Sequence, residues 1–199
     1  MIRQVRLILW LLVAIALAGM AYLALRPAPS AELAGQSTPM ATLGGRFTLT
    51  GSDGKPFSSS RLNGRPYAIF FGFTHCPDVC PTTLARMVRL RKQLGPQAED
   101  LAIVFVSVDP ERDGPAEVGR YAALFGEPII GLTGSQSQVD QVKKQFGIFS
   151  EKVPESGGNY TVDHTATVLL FDRSGKFDST IAPEEQDEAA LAKLRRIAG

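Results

Sequence analysis

The residues of this 199-residue chain best suited to metal or redox chemistry are two cysteines and two histidines. Cys76 and Cys80 are the only cysteines and are spaced Cys-x-x-x-Cys within Cys76-Pro77-Asp78-Val79-Cys80. In an exported domain such a pair could be a structural disulfide. Bridging residues four apart closes a very small loop, however, and constrains the unfolded chain little. The pair is more useful as chemistry. Two thiolates select a soft ion such as Cu(I), and the same two sulfurs can cycle between dithiol and disulfide. A third group has to decide between those roles. His75 adjoins Cys76 and is expected to point away from the sulfur pair. His164 ends Gly157-Gly158-Asn159-Tyr160-Thr161-Val162-Asp163-His164, which reads as a flexible glycine-containing loop running into a core strand, and is the candidate third ligand.

The elements that must position these groups follow from the hydrophobic pattern. Phe47 to Phe57 reads as a small hairpin around Gly51-Ser52-Asp53-Gly54. Tyr67 to Phe73 is a continuous apolar run, as expected of a strand buried on both faces. A helix from about Thr82 to Leu94 follows, stopped by Gly95-Pro96. The cysteines therefore lie at a strand–helix junction, where helix N-terminal amides favour thiolate over thiol. Pro77 and Pro81 leave two geometries open. With Pro81 as the first helical residue, the CPDVC segment is a loop capping the helix, which is the preferred reading. With Pro77 first, the sulfurs lie one turn apart, but Pro81 lacks the amide for its helical bond.

Further along, a second buried strand spans Leu101 to Val108, a helix Pro115 to Phe125, and a short strand Pro128 to Leu132. A helix over Ser135 to Phe146 has Ser135 as N-cap. Strands over Thr165 to Phe171 and Lys176 to Ile181 flank the turn Asp172-Arg173-Ser174-Gly175. The last helix carries Pro183, Glu184 and Glu185 in its first turn and Lys193, Arg195 and Arg196 in its last, which suits the macrodipole. This order is that of a thioredoxin-like α/β fold, with a mainly parallel central sheet and an added antiparallel hairpin. In such a fold the junction bearing His164 faces the cysteine turn. An imidazole there completes a Cys₂His set that accommodates Cu(I) and, with an added ligand, Cu(II).

Two acidic positions near these groups have alternative readings. Asp109-Pro110-Glu111-Arg112-Asp113 is expected to be a strand-terminal turn whose Asp113 caps the next helix. The alternative is a surface that recognises a partner or tunes the copper site, and turn chemistry favours the first. Asp163 could orient the His164 ring, but neighbours in a strand point to opposite faces.

Four stretches carry a wider likeness: Phe71 to Pro81 (FGFTHCPDVCP), Val106 to Asp113 (VSVDPERD), Gly131 to Gly134 (GLTG) and Tyr160 to Thr165 (YTVDHT). Together they closely resemble the Sco/SenC family of copper proteins, from Gly45 to the C-terminal helix. The resemblance implies copper ligands at Cys76, Cys80 and His164. It implies a periplasmic or intermembrane-space factor that helps assemble the CuA centre of cytochrome oxidase subunit II, supplied by an upstream copper donor. A metallochaperone delivering copper to that centre is the first reading. A thiol–disulfide oxidoreductase reducing the CuA cysteines is the alternative. A peroxidase would need a lone peroxidatic cysteine, which the close CPDVC pair fits poorly. Ordinary thioredoxins carry a proline before the strand facing the cysteines, where this chain has Ala166, and that counts against a general disulfide exchanger.

Composition bounds the rest. Hydrophobic residues make up 44% and charged residues 21%, so a packed core is available to one domain. Arg3, Arg6 and Arg26 give residues 1–26 a charge of +3, leaving 18 of the 21 basic residues against all 20 acidic ones in the remainder. A slightly acidic body without a basic stripe argues against a nucleic-acid partner. Leu7 to Leu25 has no charged residue, and nineteen helical residues reach roughly 28 Å, close to a hydrocarbon core. With Arg3 and Arg6 ahead of it, residues 1–26 are expected to be a single-pass anchor in a bacterial inner membrane, with the body in the periplasm. A signal peptide cleaved near Ala16-Leu17-Ala18 is the competing reading. Residues 27–45 read as a flexible linker and 46–199 as the copper-binding domain.

Overall fold

The structure, a computed structural model, describes residues 43–199 together with Arg3, Gln4, Arg6, Trp10, Ile15, Met20 and Tyr22. Those seven residues are helical and exposed, and belong to a separate unit, Met1–Thr38, while Pro39–Gly199 forms the other. Most of the expected anchor, and the linker up to residue 42, lie outside the described residues. Among the described residues, no helix is long and apolar enough to cross a membrane.

The strands are β1 Thr48–Gly51, β2 Pro56–Ser58, β3 Tyr67–Gly72, β4 Ala102–Ser107, β5 Ile130–Thr133, β6 Ser150–Pro154, β7 Tyr160–His164, β8 Val168–Phe171 and β9 Phe177–Ile181. The α-helices are α1 Val79–Leu94, α2 Pro115–Ala123, α3 Gln136–Gln145 and α4 Asp187–Ala198. Seven strands form one sheet in the order β2-β1-β5-β4-β3-β8-β9. The sheet is mixed rather than mainly parallel. Only β3–β4 and β4–β5 pair in parallel, and antiparallel pairings flank them on both sides. The Phe47–Phe57 hairpin joins the main sheet through β1, which runs antiparallel to β5, and β8 and β9 add two more antiparallel pairings at the other edge.

Every residue of β3 and β4 is buried, as their unbroken apolar sequences require. The crossovers β3-α1-β4 and β4-α2-β5 step the same way along the sheet. Right-handed connections therefore place α1 and α2 on one face. On that face α1 buries Cys80, Leu84, Met87 and Leu90, and α4 is tied to it where Arg86 and Arg89 pair with Asp187. Phe71 turns to the other face and meets Phe146, just past α3, which also packs against Phe47 and Phe171. Truncating a buried phenylalanine of this kind to alanine costs about 3–5 kcal/mol. As expected, Ser135 caps α3, through a reciprocal pair with Gln138.

Two boundaries differ from expectation. The last helix begins at Asp187, not near Pro183, because the Arg86 guanidinium binds the carbonyls of Ala182, Pro183 and Glu185 and holds that segment as a turn. The segment before His164 is not a flexible loop feeding one long strand. It is a two-stranded hairpin, β6–β7, paired from Ser150↔His164 to Pro154↔Tyr160 and outside the main ladder. Gly157 and Gly158 form its tip at left-handed φ of 81° and 79°, and β8 starts only at Val168.

Candidate metal centre

The site is built where β3 ends. Gly72 closes the strand, and a Cβ at that position would lie 2.7 Å from the Cys80 sulfur and 3.0 Å from the Phe70 ring. The missing side chain is the space the sulfur occupies. A turn follows in which the Cys76 amide donates to the Phe73 carbonyl at 3.3 Å. The helix α1 then begins at Val79, between the two geometries the prolines allowed. Cys80 lies in its first turn, and so does Pro81, where an amide would have no partner within the helix in any case. The free Cys80 amide turns instead to the Cys76 sulfur at 3.4 Å.

His164 closes the site from the base of the β6–β7 hairpin. Its Nε2 lies 3.4 Å from the Cys80 sulfur, and its ring stands edge-on to Phe70 and Phe73. Its Nδ1 lies 3.1 Å from the Thr165 carbonyl. A carbonyl can only accept, so Nδ1 carries the proton and Nε2 presents its lone pair to the sulfurs. Ligand atoms of Cys76, Cys80 and His164 all lie within 4.8 Å of one another. Among the described residues no other such group of three appears.

Burial pushes the Cys80 thiol far above the usual thiol range and also lowers the affinity of the His164 ring for a proton. A neutral thiol therefore faces a neutral imidazole at pH 7. A metal ion entering here displaces the Cys80 proton. The soft two-sulfur, one-nitrogen set suits Cu(I). Zinc in a structural site takes four ligands, one more than this set supplies.

The SCO1/SenC family profile matches residues 35–199. The chain belongs to the SCO1/SenC family. It is 38% identical over 112 residues to the human mitochondrial protein SCO1 homolog, covering 55% of this chain and 37% of that one. It spans about half the length of curated relatives it matches, 54% in two Rickettsia proteins. Among solved structures, copper-bound ScoI of Bradyrhizobium japonicum is 41% identical, with a TM-score of 0.71 over 78% of this chain and 99% of that one. BsSco, described as having a disulfide switch and as a member of the Sco family of cytochrome c oxidase assembly proteins, is 28% identical. Its TM-score is 0.59 over 77% of this chain and 92% of that one.

The other expected residues fall outside this cluster of three. His75 is largely exposed, with Nδ1 3.1 Å from the Thr74 hydroxyl and 3.5 Å from Asp113. Asp163 is exposed and pairs across the hairpin with Glu151, so the backbone of Thr165, not Asp163, orients the imidazole. Asp113 does not cap α2. The N-cap is Gly114, and the buried Asp113 carboxylate accepts from the Thr74 amide, the Thr74 hydroxyl and the Ser107 hydroxyl. Turn chemistry alone pointed to the cap because Asp before a helix fits that pattern equally well. Gly72 was not singled out as a site residue, although a glycine inside an apolar strand is a legible sign of close approach. The Thr165 carbonyl has no sequence signal at all.

Proposed function

We propose that this chain is a copper metallochaperone of cytochrome c oxidase assembly. It binds one copper ion through Cys76, Cys80 and His164 and delivers it to the CuA site of subunit II. The observation that carries the reading is the triad itself: two sulfurs and an imidazole nitrogen within 4.8 Å, the nitrogen held in the tautomer that offers its lone pair. Family membership and the copper-bound relative support the choice of metal. The chain's donor set fits Cu(I), and with one added ligand Cu(II).

The division of the site suits transfer. Cys80 is fixed in the first turn of α1 and Cys76 in the turn that leads into it, whereas His164 rides on a hairpin outside the main sheet. Lifting one donor opens a position for a recipient thiolate without unfolding the core.

A second reading has its own support. The two sulfurs are close enough to react with each other after modest movement, and BsSco is described as having a disulfide switch. As a reductase, the dithiol of Cys76 and Cys80 would reduce the disulfide of the CuA cysteines and end as a disulfide itself.

We place residues 1–26 in a bacterial inner membrane as a single-pass anchor, residues 27–45 as linker and residues 46–199 in the periplasm, receiving copper from a periplasmic donor. Trp10, Ile15, Met20 and Tyr22, helical and exposed, suit a lipid-facing helix.

The test is transfer. Chain loaded with one Cu(I) is mixed with the reduced, metal-free CuA domain of subunit II, and copper is followed by separating the two. Copper passing to the CuA domain supports delivery. Copper staying on this chain, while metal-free reduced chain in a parallel mixture reduces an oxidised CuA domain, leaves the reductase reading in front.

A further inference from the structure

The turn Asp109–Asp113 touches both halves of the site at once. At one end, buried Asp113 grips Thr74, two residues before Cys76, through the amide at 2.8 Å and the hydroxyl at 2.6 Å. At the other end, buried Asp109 accepts from the Tyr160 hydroxyl at 2.9 Å, and Arg112 bridges between them. The Arg112 guanidinium pairs with Asp109, donates to the Tyr160 carbonyl at 2.8 Å, and lies with its carbon 3.7 Å from the centre of the Tyr160 ring. It also reaches the Phe73 ring, which packs edge-on against His164.

Tyr160 begins β7 and His164 ends it. The hairpin shares no ladder with the main sheet, so backbone pairing does not hold it in place. At its base the chain is fixed by the Ile148 amide donating to the Lys143 carbonyl of α3 at 2.8 Å, while the Phe149–Thr165 pair ties the two strands only to each other. A single attachment there would let the hairpin tilt and carry the imidazole away from the sulfurs. Val162 seats in the core partway along β7, and the Arg112 fork on Tyr160 is the polar attachment at the end away from the base, so that together they define the orientation. A planar guanidinium that binds a carboxylate and a carbonyl while stacking on a ring is a role lysine cannot fill. The exposed pair of Lys152 and Glu111 alongside adds little.

We propose that Arg112 and Asp109 are positioning residues that hold the His164 hairpin against the cysteine turn and so set the affinity for copper. The inference rests on the copper reading of the site but reaches a different set of residues. It predicts a coupling that general destabilisation does not produce.

The experiment uses the full chain in detergent with Cu(I) and a competing chelator. Arg112→Met should weaken Cu(I) binding by roughly 10- to 100-fold, as loss of a ligand's supporting contacts does. In a His164→Ala background the same change should cost less than about twofold, because its route to the metal is gone. Tyr160→Phe, which removes one hydroxyl and keeps the stack, should give a smaller loss of the same kind and serves if Arg112→Met fails to fold. In the metal-free chain, exchange of the hairpin amides of Glu155 and Thr165 should speed up in both variants, while that of core strand β4 does not. Equal penalties with and without His164, or unchanged hairpin exchange, would overturn the positioning role. If His164→Ala itself left Cu(I) affinity unaltered, the copper reading beneath it would fall instead.

Discussion

The Cys80 sulfur and the His164 Nε2 stand 3.4 Å apart although 84 positions of sequence separate the two residues. Cys80 is fully buried in the first turn of α1, while His164 is only partly buried at the end of β7. The contact therefore joins a rigid element of the core to a hairpin held by few bonds. In the proposed copper site, metal binding and thiol chemistry share the sulfurs, but only metal binding needs the hairpin.

Replacing His164 with alanine should separate the two. The dithiol remains in place, so the variant should still cycle between dithiol and disulfide, counted by thiol titration. Its Cu(I) affinity should fall by at least about tenfold, since one of three ligands is gone. Cells carrying it should fail to assemble a CuA-containing oxidase at limiting copper. Normal assembly there would remove the delivery role.

The cysteines should be individually indispensable. Cys76→Ser and Cys80→Ser each leave one thiolate and one imidazole, a poor set for Cu(I), and tight binding should be lost in both. His75→Ala should bind as the parent chain does, because the His75 ring turns to Thr74 and solvent. Copper lost from the His75 variant but kept by the Cys80 variant would refute the ligand set.

Gly72→Ala tests the packing under the sulfur. The added methyl would meet the Cys80 sulfur at 2.7 Å and two phenylalanine rings beyond it. Such overpacking costs about 1–3 kcal/mol, read by urea unfolding. Copper affinity should fall with it, because Cys80 is the group pushed aside. A variant with unchanged stability and affinity would show that the site tolerates a methyl there.

The pH dependence of the reduced, metal-free chain follows from the two burial shifts. Folded Cys80 keeps its proton beyond the ordinary thiol value of about 8.5, at which the unfolded chain releases one. Stability should therefore fall as pH rises above that value, by at most about 1.4 kcal/mol per unit from this group. On the acid side, the unfolded His164 takes up a proton near pH 6.5 that the folded ring resists. Stability should fall again as pH drops below it. Urea unfolding from pH 5 to 9.5 checks both. Cys80→Ala should flatten the alkaline limb and His164→Ala should soften the acid one, and an alkaline limb unaltered in Cys80→Ala would contradict the assignment.

Much of this was legible in the residues. The apolar runs of β3 and β4 could only be buried strands, and the cysteines had to fall at the junction that follows. The triad itself was readable from Cys76, Cys80 and His164 once the fold order was known. The β6–β7 hairpin was not, because Ser150–Pro154 is almost entirely exposed and offers no alternating pattern, while Gly157 and Gly158 read as a loop. Asp113 was misread because a cap and a buried clamp demand the same residue type, and only the position of Thr74 distinguishes them. The orientation of the imidazole depends on a backbone carbonyl, which every residue has.

The most direct measurement is X-ray absorption at the copper edge on the reduced full-length chain loaded with one equivalent of Cu(I). Two sulfur scatterers and one imidazole nitrogen per copper, with the nitrogen signal lost in His164→Ala, is the predicted result. A copper bound by sulfur alone, with an identical spectrum in His164→Ala, would contradict the three-ligand site.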